Sequence, residues 1–312
     1  MSYDVFVSQV LSLLKQHFGS DYSISVHQVP KNNGLLFDGL SISRRDCSIA
    51  PTIYLNPLYA RYQKGVPLEE LLTEIIALYQ ENASLSPINP ELLSRTDFVL
   101  PRLAVKLIHR QSNSVLLEQV PFRPFLDLAI VCFLYLGVRE GRQMTVLVSY
   151  AHLNLWDLNQ EDLFRIALLN TPRLFPFRLC SVKEAVEEML ASLPKSANIQ
   201  AFPHSCREEP EFLYLLTNRQ GLDGAAAMLY PSVLKDFSNQ EEKDLIIFPS
   251  SVHEVLLLPV SDPSQGTHLS SMVREINQAQ VPREERLSNQ VYLYRRGTGE
   301  FSILSESGET IL

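Results

Sequence analysis

The sequence predicts an α+β fold, with an N-terminal αβββα unit followed by a larger α+β domain rich in antiparallel hairpins. Stretches rich in β-branched and aromatic residues alternate with amphipathic helical stretches. Several strand-like stretches are separated only by short polar turns, which is typical of hairpins rather than of a doubly wound parallel sheet. A chain of 312 residues that is 46% hydrophobic is long enough for two domains.

The first predicted unit covers residues 1–84. It opens with an amphipathic helix, because apolar residues recur at helical spacing from Phe6 to Phe18. YSISVHQV and GLLFDGLSIS are predicted as strands on either side of the turn PKNNG, and PTIYL as a third strand. VPLEELLTEIIALYQEN has one apolar stripe and Pro67 in its first turn, so we expect a helix that closes the unit.

A connector is predicted at residues 85–101, where three prolines lie among polar residues. The larger domain, residues 102–312, begins with the strand RLAVKLIH and the antiparallel pair FLDLAIVCFLYL and QMTVLVSYAHLNLW. Two helices follow. Asn159 is the predicted N-cap of the first, and Ser181 with Glu184 is the predicted capping box of the second.

The rest of the larger domain is predicted to hold a strand, FLYLLT, and a helix from about Gly224 to Phe237. The hairpin of DLIIF and VHEVLLLPV, a helix near residues 266–279 and the hairpin QVYLYRRGTGEFSIL follow. The order strand, strand, helix thus occurs twice. It is compatible with a degenerate internal duplication, with halves 102–193 and 211–312, although the two stretches share few residues.

Charge and composition exclude several classes of partner. The net charge is −8 and no stretch concentrates Lys and Arg, so we expect neither nucleic acid nor membrane as a partner. The N-terminus lacks the features of a signal peptide, and the most apolar stretch, from Phe125, is too short to span a bilayer. The four cysteines are far apart in sequence, which fits reduced thiols and a cytoplasmic location.

The stretch FPSSVHEVLLLP holds the candidate catalytic residues Ser251, His253 and Glu254. In the predicted hairpin, Ser250 and Ser251 lie in the bend, and His253 and Glu254 begin the outgoing strand on opposite faces, with Ser251 on the face of His253. A hydrolase would need the Ser251 hydroxyl on the His253 imidazole and a carboxylate from elsewhere. The alternative is a bend whose hydroxyls and imidazole bond to backbone groups, and no catalytic residue is assigned.

Metal motifs are weak in this sequence. His253 and Glu254 lack the second histidine of a zincin, because that position is Leu257. The loop PHSCREEPE has a metal-ligand composition without the spacing of a paired site, and its candidate ligands are His204, Cys206, Glu208 and Glu209. We therefore predict no metal and no cofactor.

The stretch GLDGAAAMLYP opens a helix with small residues. It lacks the lysine of a P-loop and the third glycine of a dinucleotide fingerprint. We expect Gly224 to Ala227 to let this helix pack closely on a sheet, with anion binding at the helix N-terminus as the alternative.

Two further residues are interpreted as structural. Asp127 is the one charge in its predicted strand, and we expect it near the strand's start, in solvent or facing a cross-strand partner, rather than as an acid in a pocket. Trp156 precedes the Asn159 cap, a position where an aromatic residue often packs at the start of a helix.

Six separated blocks of the sequence agree in order with a known pattern: APTIYLNPLYARY, FLDLAIVCFLYL, HLNLWDLNQEDLFRIALLNTPRLFP, GAAAMLYPSVL, IIFPSSVHEVLLLP and EINQAQVPREERLSNQVYLY. Together they resemble the bacterial domain-of-unknown-function family DUF5688 over nearly the whole chain. The resemblance implies no substrate, cofactor or catalytic residue. Its pattern centres on Gly224, Ala225, Tyr230, Pro231, Ser250, Ser251, His253 and Glu254.

The sequence therefore favours a soluble, non-enzymatic cytoplasmic protein that binds a partner protein or a small ligand. If the small-residue helix start meets the bend, backbone donors, hydroxyls and an imidazole would surround one cavity. The candidate binding residues are Gly224, Ala225, Tyr230, Ser250, Ser251 and His253. The alternative function is a hydrolase with Ser251 as nucleophile and His253 as general base.

Overall fold

The structure is a computed structural model that describes residues 1–44, 52–83, 90–139, 142–192, 213–263, 269–304 and 310–311. The predicted α+β fold is confirmed, since these residues form antiparallel sheets together with helices. The chain divides into two compact units, Met1–Leu93 and Ser94–Leu312. None of the helices in the described ranges has the length and apolar character that crossing a bilayer requires.

The described residues of the N-terminal unit form three α-helices, a short 3-10 helix (Asn32–Gly34) and a three-stranded sheet of order β1-β2-β3. Its elements are α1 (Tyr3–Phe18), β1 (Tyr22–Pro30), β2 (Leu36–Arg44), β3 (Thr52–Tyr54), α2 (Leu55–Gln63) and α3 (Leu68–Ala83). The amphipathic helices α1 and α3 are confirmed. The predicted strand PTIYL is short because α2 begins at Leu55, and this unpredicted helix buries Leu55 and Leu58 in the core.

The larger unit begins with an antiparallel sheet in which β6 pairs with the other three strands. These strands are β4 (Leu103–His109), β5 (Phe122–Phe125), β6 (Leu128–Arg139) and β7 (Arg142–Leu147). Short helices precede and interrupt the sheet: Pro90–Ser94, α4 (Thr96–Val99), Leu100–Arg102, Gln111–Asn113 and α5 (Ser114–Leu117). The predicted strand FLDLAIVCFLYL is divided by a turn, because Phe125 ends β5 and Leu128 begins β6.

The stretch QMTVLVSYAHLNLW, predicted as one strand, is β7 followed by a helix, α6 (Tyr150–Trp156). Its alternating apolar residues resemble a strand, but the start of α6 is capped locally, because the Ser149 amide donates to His152 Nδ1 at 3.0 Å. Trp156 is buried at the end of α6 and stacks on the His152 ring. It is a structural residue, although it ends α6 rather than opening the next helix.

Both predicted helix caps are confirmed. In α7 (Gln160–Leu174), Asn159 Oδ1 accepts from the Asp162 amide at 2.8 Å. In α8 (Val182–Ser192), the Ser181 amide donates to Glu184 Oε2 at 2.9 Å and the Glu184 amide donates to Ser181 Oγ at 3.1 Å. The two side chains satisfy backbone donors that have no partner within the helix.

A seven-stranded antiparallel sheet of order β14-β13-β12-β10-β11-β9-β8 forms the rest of the larger unit. Its strands are β8 (Phe177–Ser181), β9 (Tyr214–Asn218), β10 (Asp244–Phe248), β11 (Val255–Val260), β12 (Val291–Tyr294), β13 (Phe301–Leu304) and β14 (Thr310–Ile311). The hairpins β10–β11 and β12–β13 are confirmed. Because β8 joins this sheet while β4 to β7 form another, the predicted half 102–193 contributes strands to two sheets; the duplication stays a prediction.

The helix predicted from Gly224 to Phe237 is interrupted. A 3-10 helix, Gly224–Leu229, is followed by α9 (Val233–Glu241). Pro231 disfavours helical dihedrals at the preceding Tyr230, which is extended at φ −70° and ψ 135°. The last helix, α10 (Leu269–Gln280), corresponds to the one predicted near residues 266–279, and its Val273 packs in the apolar cluster of the seven-stranded sheet.

Candidate functional site

The connection between β10 and β11 is a bend fixed by a second backbone segment. The Val252 amide donates to the Glu285 carbonyl at 2.8 Å, and the Leu287 amide donates to the Ser250 carbonyl at 3.1 Å. His253 and Glu254 were predicted to begin the outgoing strand, but β11 begins only at Val255. The backbone hydrogen bonds to residues 285–288 instead keep His253 and Glu254 within the bend.

The small-residue stretch and this bend meet, which was the condition for a shared site. The Ala225 amide donates to the Val252 carbonyl at 3.1 Å. A Cβ atom on Gly224 would overlap Thr217 Oγ1 and the His253 carbonyl oxygen, the two atoms that a 2.7 Å hydrogen bond already joins. The predicted close packing of Gly224 on the sheet is therefore confirmed.

The contact between the two stretches leaves little room for the alternative of an anion site. The amide of Ala225 is bonded to Val252, and the amide of Ala226 donates to the Asp223 carbonyl at 3.4 Å. The 3-10 helix Gly224–Leu229 has only six residues, so it lacks the aligned peptide dipoles of a longer helix.

The His253 imidazole is held in one tautomer. The Asp223 amide donates to Nδ1 at 3.2 Å, so Nδ1 is an acceptor and the ring hydrogen lies on Nε2. Nε2 is 3.8 Å from Glu285 Oε1, and the side chains of His253 and Glu285 are 23% and 40% exposed. An N–H donor and a carboxylate acceptor therefore lie side by side where solvent reaches both.

Ser251 does not have the geometry that the hydrolase hypothesis requires. Its hydroxyl oxygen accepts from the His253 backbone amide at 3.0 Å, and the residue is only 5% exposed. Both imidazole nitrogens of His253 face other groups, namely the Asp223 amide and the Glu285 carboxylate. The hydroxyl satisfies a backbone donor, which is the arrangement expected of a hairpin bend.

Glu254 follows His253 and is half-buried. Burial raises the pKa of its carboxyl group, and the neighbouring charge of Glu285 acts in the same direction. His253 and the Ser251 hydroxyl act oppositely but do not outweigh burial. The folded bend thus favours the protonated form of this side chain.

A second ion pair extends the polar surface beside His253. Lys106 Nζ, from β4, is 3.8 Å from Asp223 Oδ2, and the two side chains are 28% and 27% exposed. We call His253, Glu285, Asp223 and Lys106 the His253 surface. Its members come from four separate stretches of the chain, so only His253 was among the candidate residues of the sequence.

The other predicted binding residues contribute less to this surface. Ser250 is half-buried beside the bend, while Gly224 and Ala225 are buried in its backbone contacts. Tyr230 is 6% exposed and its hydroxyl donates to the Phe175 carbonyl at 2.8 Å. Burial raises the pKa of the Tyr230 phenol. Tyr230 is thus placed as a structural residue that joins two elements.

A second polar cluster surrounds Asp127, in the turn between β5 and β6. Ser288 Oγ donates to Oδ2 at 2.6 Å, and the Tyr292 hydroxyl donates to Oδ1. Burial would raise the pKa of Asp127, but the nearby His109 ring and the hydrogen bonds from Ser288 and Tyr292 outweigh it, so the pKa is lowered. We call Asp127, His109, Ser288 and Tyr292 the Asp127 cluster.

Sequence reasoning missed the Asp127 cluster because its members are far apart in the chain. Asp127 was interpreted as a residue at a strand's start in solvent or facing a cross-strand partner, and its side chain is 22% exposed in a turn just before β6. Ser288 and Tyr292 lie 161 and 165 residues away along the chain. His109 is the one member of the cluster that the predicted strands could have placed near Asp127, because it is the last residue of β4 and lies next to the turn.

Metal ligation is not indicated among the residues that the structure describes, because they contain no group of three or more His, Cys, Asp or Glu side chains able to hold an ion. The weak candidate loop with His204, Cys206, Glu208 and Glu209 lies outside the described residues.

Comparison with known proteins gives a family and no activity. No curated protein matches the sequence, and no solved structure does. The profile of one protein family, described as a family of unknown function (DUF5688), matches residues 3–296. Since that range covers most of the 312 residues, the chain belongs to the DUF5688 family.

Proposed function

We propose that this protein is a binding module whose ligand contacts the His253 surface, and that this surface binds its ligand without catalysing a reaction. The observation that carries the proposal is the fixed tautomer of His253, in which the Asp223 amide occupies Nδ1 and leaves Nε2–H beside the Glu285 carboxylate. A donor whose direction is fixed in advance costs less conformational entropy when a ligand binds.

The chemistry of this donor and acceptor favours an amide-bearing ligand. Nε2–H of His253 would donate to an amide carbonyl, and the Glu285 carboxylate would accept from an amide N–H. The 3.8 Å between the two groups allows one small polar group to reach both. A peptide segment of a partner protein and a small carboxamide share this chemistry, and the experiment below distinguishes them.

The alternative, a hydrolase with Ser251 as nucleophile, has less support. A nucleophile must be reached by substrate, and its proton must pass to a base. Ser251 is 5% exposed and its oxygen accepts from a backbone amide.

We also propose a cytoplasmic location. Both cysteines in the described ranges, Cys132 and Cys180, are free thiols, as is usual in a reducing compartment. Cell fractionation of a bacterium expressing the full chain tests this: recovery with cytoplasmic markers is expected, and recovery with periplasmic or secreted markers contradicts it.

The binding proposal is tested by NMR of the histidine ring signals, with His253 assigned by comparison with His253→Gln. On addition of N-acetylglycine amide or of short unstructured peptides, the His253 signals should shift and saturate, while those of His17, in the N-terminal unit, should not. Saturation by peptides alone points to a partner protein, and saturation by the small amide also points to a small ligand.

The matched variant is Glu285→Gln, which keeps the shape of the side chain and removes its charge. We expect it to weaken the saturable binding about threefold to tenfold, since a charge-assisted acceptor is about twice as strong as a neutral one. His253 signals that stay constant for every probe, with the protein folded, would overturn the proposal.

A further inference from the structure

Ser112 lies three residues beyond the end of β4 and contacts His109, the last residue of that strand. The Ser112 hydroxyl oxygen is 2.7 Å from His109 Nδ1, and the Ser112 backbone amide donates to the same nitrogen at 3.2 Å. Because a backbone amide can only donate, Nδ1 is an acceptor and the ring hydrogen lies on Nε2. The Ser112 hydroxyl therefore points its hydrogen at an unprotonated ring nitrogen.

The other ring nitrogen of His109 faces a carboxylate. His109 Nε2 is 3.6 Å from Asp127 Oδ2, and the side chains are 25% and 22% exposed. Ser288 and Tyr292 each donate to Asp127, so its orientation is fixed by two hydroxyl groups. A carboxylate held in this way stabilises the positive charge that His109 acquires when it takes up a proton.

The turn that carries Asp127 is strained. Leu126, the residue before it, has a φ of 53°, which is uncommon for a residue other than glycine. Leu126 and Asp127 alone connect β5 to β6, because Phe125 pairs with Leu128. Such strain persists where the surrounding structure requires the conformation, and here that conformation places the carboxylate beside His109.

We propose that Ser112 is a nucleophile, that His109 is its general base, and that Asp127 is a positioning residue, in a site that takes an activated ester. Ser112 is exposed, so an ester can approach its hydroxyl. The tautomer of His109 is the one that this chemistry needs, with the lone pair toward the serine and the N–H toward the carboxylate. The site goes beyond the proposed binding function and uses none of the residues of the His253 surface.

The reaction balances with an ester and water alone. The Ser112 oxygen bonds to the ester carbonyl carbon while its proton moves to His109 Nδ1. The bond from that carbon to the leaving alkoxide then breaks, and the alkoxide takes the proton from Nδ1. Water attacks the acyl-Ser112 in the same way, gives its proton to Nδ1, and the acid leaves as the proton returns to Ser112 Oγ.

The test is labelling of the full chain with a fluorophosphonate, followed by mass spectrometry of the modified peptide. The Ser112 oxygen displaces fluoride from phosphorus, so the expected result is one label, on Ser112. Ser112→Ala should lose the label, whereas Ser114→Ala, which changes another exposed serine two residues away, should keep the wild-type rate. His109→Gln should slow labelling about 100-fold.

The role of Asp127 is read from two variants. Asp127→Asn should slow labelling at least about 10-fold, within the usual range for acid and base assistance. Asp127→Glu, which restores a carboxylate but disturbs the contacts with Ser288 and Tyr292, should recover part of the rate. If the role of Asp127 were purely structural, both variants would lower the labelling rate equally.

Three results would overturn the proposal: no label on a folded protein when a known serine hydrolase in the same tube is labelled, a label on another residue, or a labelling rate that His109→Gln does not change. Circular dichroism of each variant establishes that it is folded. The His253 ring signals should be unaffected by Ser112→Ala, so failure here and failure of the binding proposal are separate outcomes.

Discussion

Gly224 packs directly against the backbone of His253: a Cβ atom on Gly224 would overlap the His253 carbonyl oxygen and would lie 2.7 Å from the Asn218 amide nitrogen. Backbone atoms cannot move aside as the end of a flexible side chain can. Gly224→Ala is therefore expected to lower the free energy of unfolding by about 1–3 kcal/mol, the range of overpacking changes in well-packed cores. Urea denaturation followed by the fluorescence of Trp156, the one tryptophan of the chain and part of the same unit, measures this.

The matched control is Gly297→Ala. A Cβ atom there meets nothing within 4 Å and the glycine does not need a positive φ. The variant should stay within about 0.5 kcal/mol of the wild type. Equal stability of the two variants would contradict the close approach of Gly224.

Asp127→Asn should destabilise the larger unit at neutral pH. The carboxylate accepts from Ser288 and Tyr292, and hydrogen bonds to charged groups contribute about 1.5–3 kcal/mol each. An asparagine keeps the shape but not the charge, so we expect a loss of about 2 kcal/mol in the urea experiment, against little change for the exposed Glu300→Gln.

The same variant should change the response to acid. The pKa of Asp127 is lower when folded than when unfolded, where it is about 3.9. The folded state thus binds this proton less tightly, and the stabilisation is complete above about pH 4 and lost as the pH falls further. Wild type and Asp127→Asn should converge in stability below that pH. A constant difference between them down to pH 2 would show that the charge of Asp127 is not responsible.

Glu254→Gln should have the opposite effect on stability at neutral pH. Its pKa is raised in the folded state, chiefly by burial, so the ionised form at neutral pH is destabilising. The folded state binds this proton more tightly, and stability decreases as the pH rises from the unfolded pKa, about 4.3, through the folded one. Glu254→Gln should therefore raise the urea midpoint at pH 7 and lose that advantage near pH 4. A lower midpoint at pH 7 would contradict this.

Tyr230→Phe separates a structural residue from a binding residue. Removing the hydroxyl leaves the Phe175 carbonyl without the hydrogen bond that now joins them at 2.8 Å. An unsatisfied buried acceptor costs about 1–3 kcal/mol, and we expect a loss in that range, with unchanged saturation of the His253 signals in NMR. Tyr150→Phe, at a residue 42% exposed, serves as the control. If Tyr230→Phe lost ligand binding but kept the stability of the wild type, Tyr230 would again count as a binding residue.

Local signals in the sequence predicted much of this fold. The caps at Asn159 and Ser181 act within three residues, and the apolar stripe of α3 needs only its own periodicity. The β10–β11 hairpin was predictable because its two strands are apolar and flank a Pro-Ser-Ser bend. The helices α2 and α6 were missed since both directly follow strand-like residues, so no break in hydrophobicity marks their start.

The sites depended on contacts between distant residues. His253 was chosen from its own neighbours, but Asp223 and Glu285, which decide the direction of its ring, lie 30 and 32 residues away in sequence. Ser251 was paired with His253 because both belong to one short motif, whereas the structure uses the Ser251 hydroxyl for a backbone donor. Ser112 lies only three residues from His109, but their contact depends on where β4 ends.

Ser288, a member of the Asp127 cluster, also pairs with the bend that carries His253. Its amide donates to the Pro249 carbonyl in the bend beside His253, at 2.8 Å, and its hydroxyl donates to Asp127 at 2.6 Å. Any local opening that lifts residues 285–288 from the bend therefore also takes a donor from the carboxylate that orients His109. The amides of Val252, Leu287 and Ser288 should exchange with deuterium at one common rate, as members of a single cooperative unit. A ligand that closes this unit at His253 would slow that exchange and make the Asp127 carboxylate more rigid at the same time.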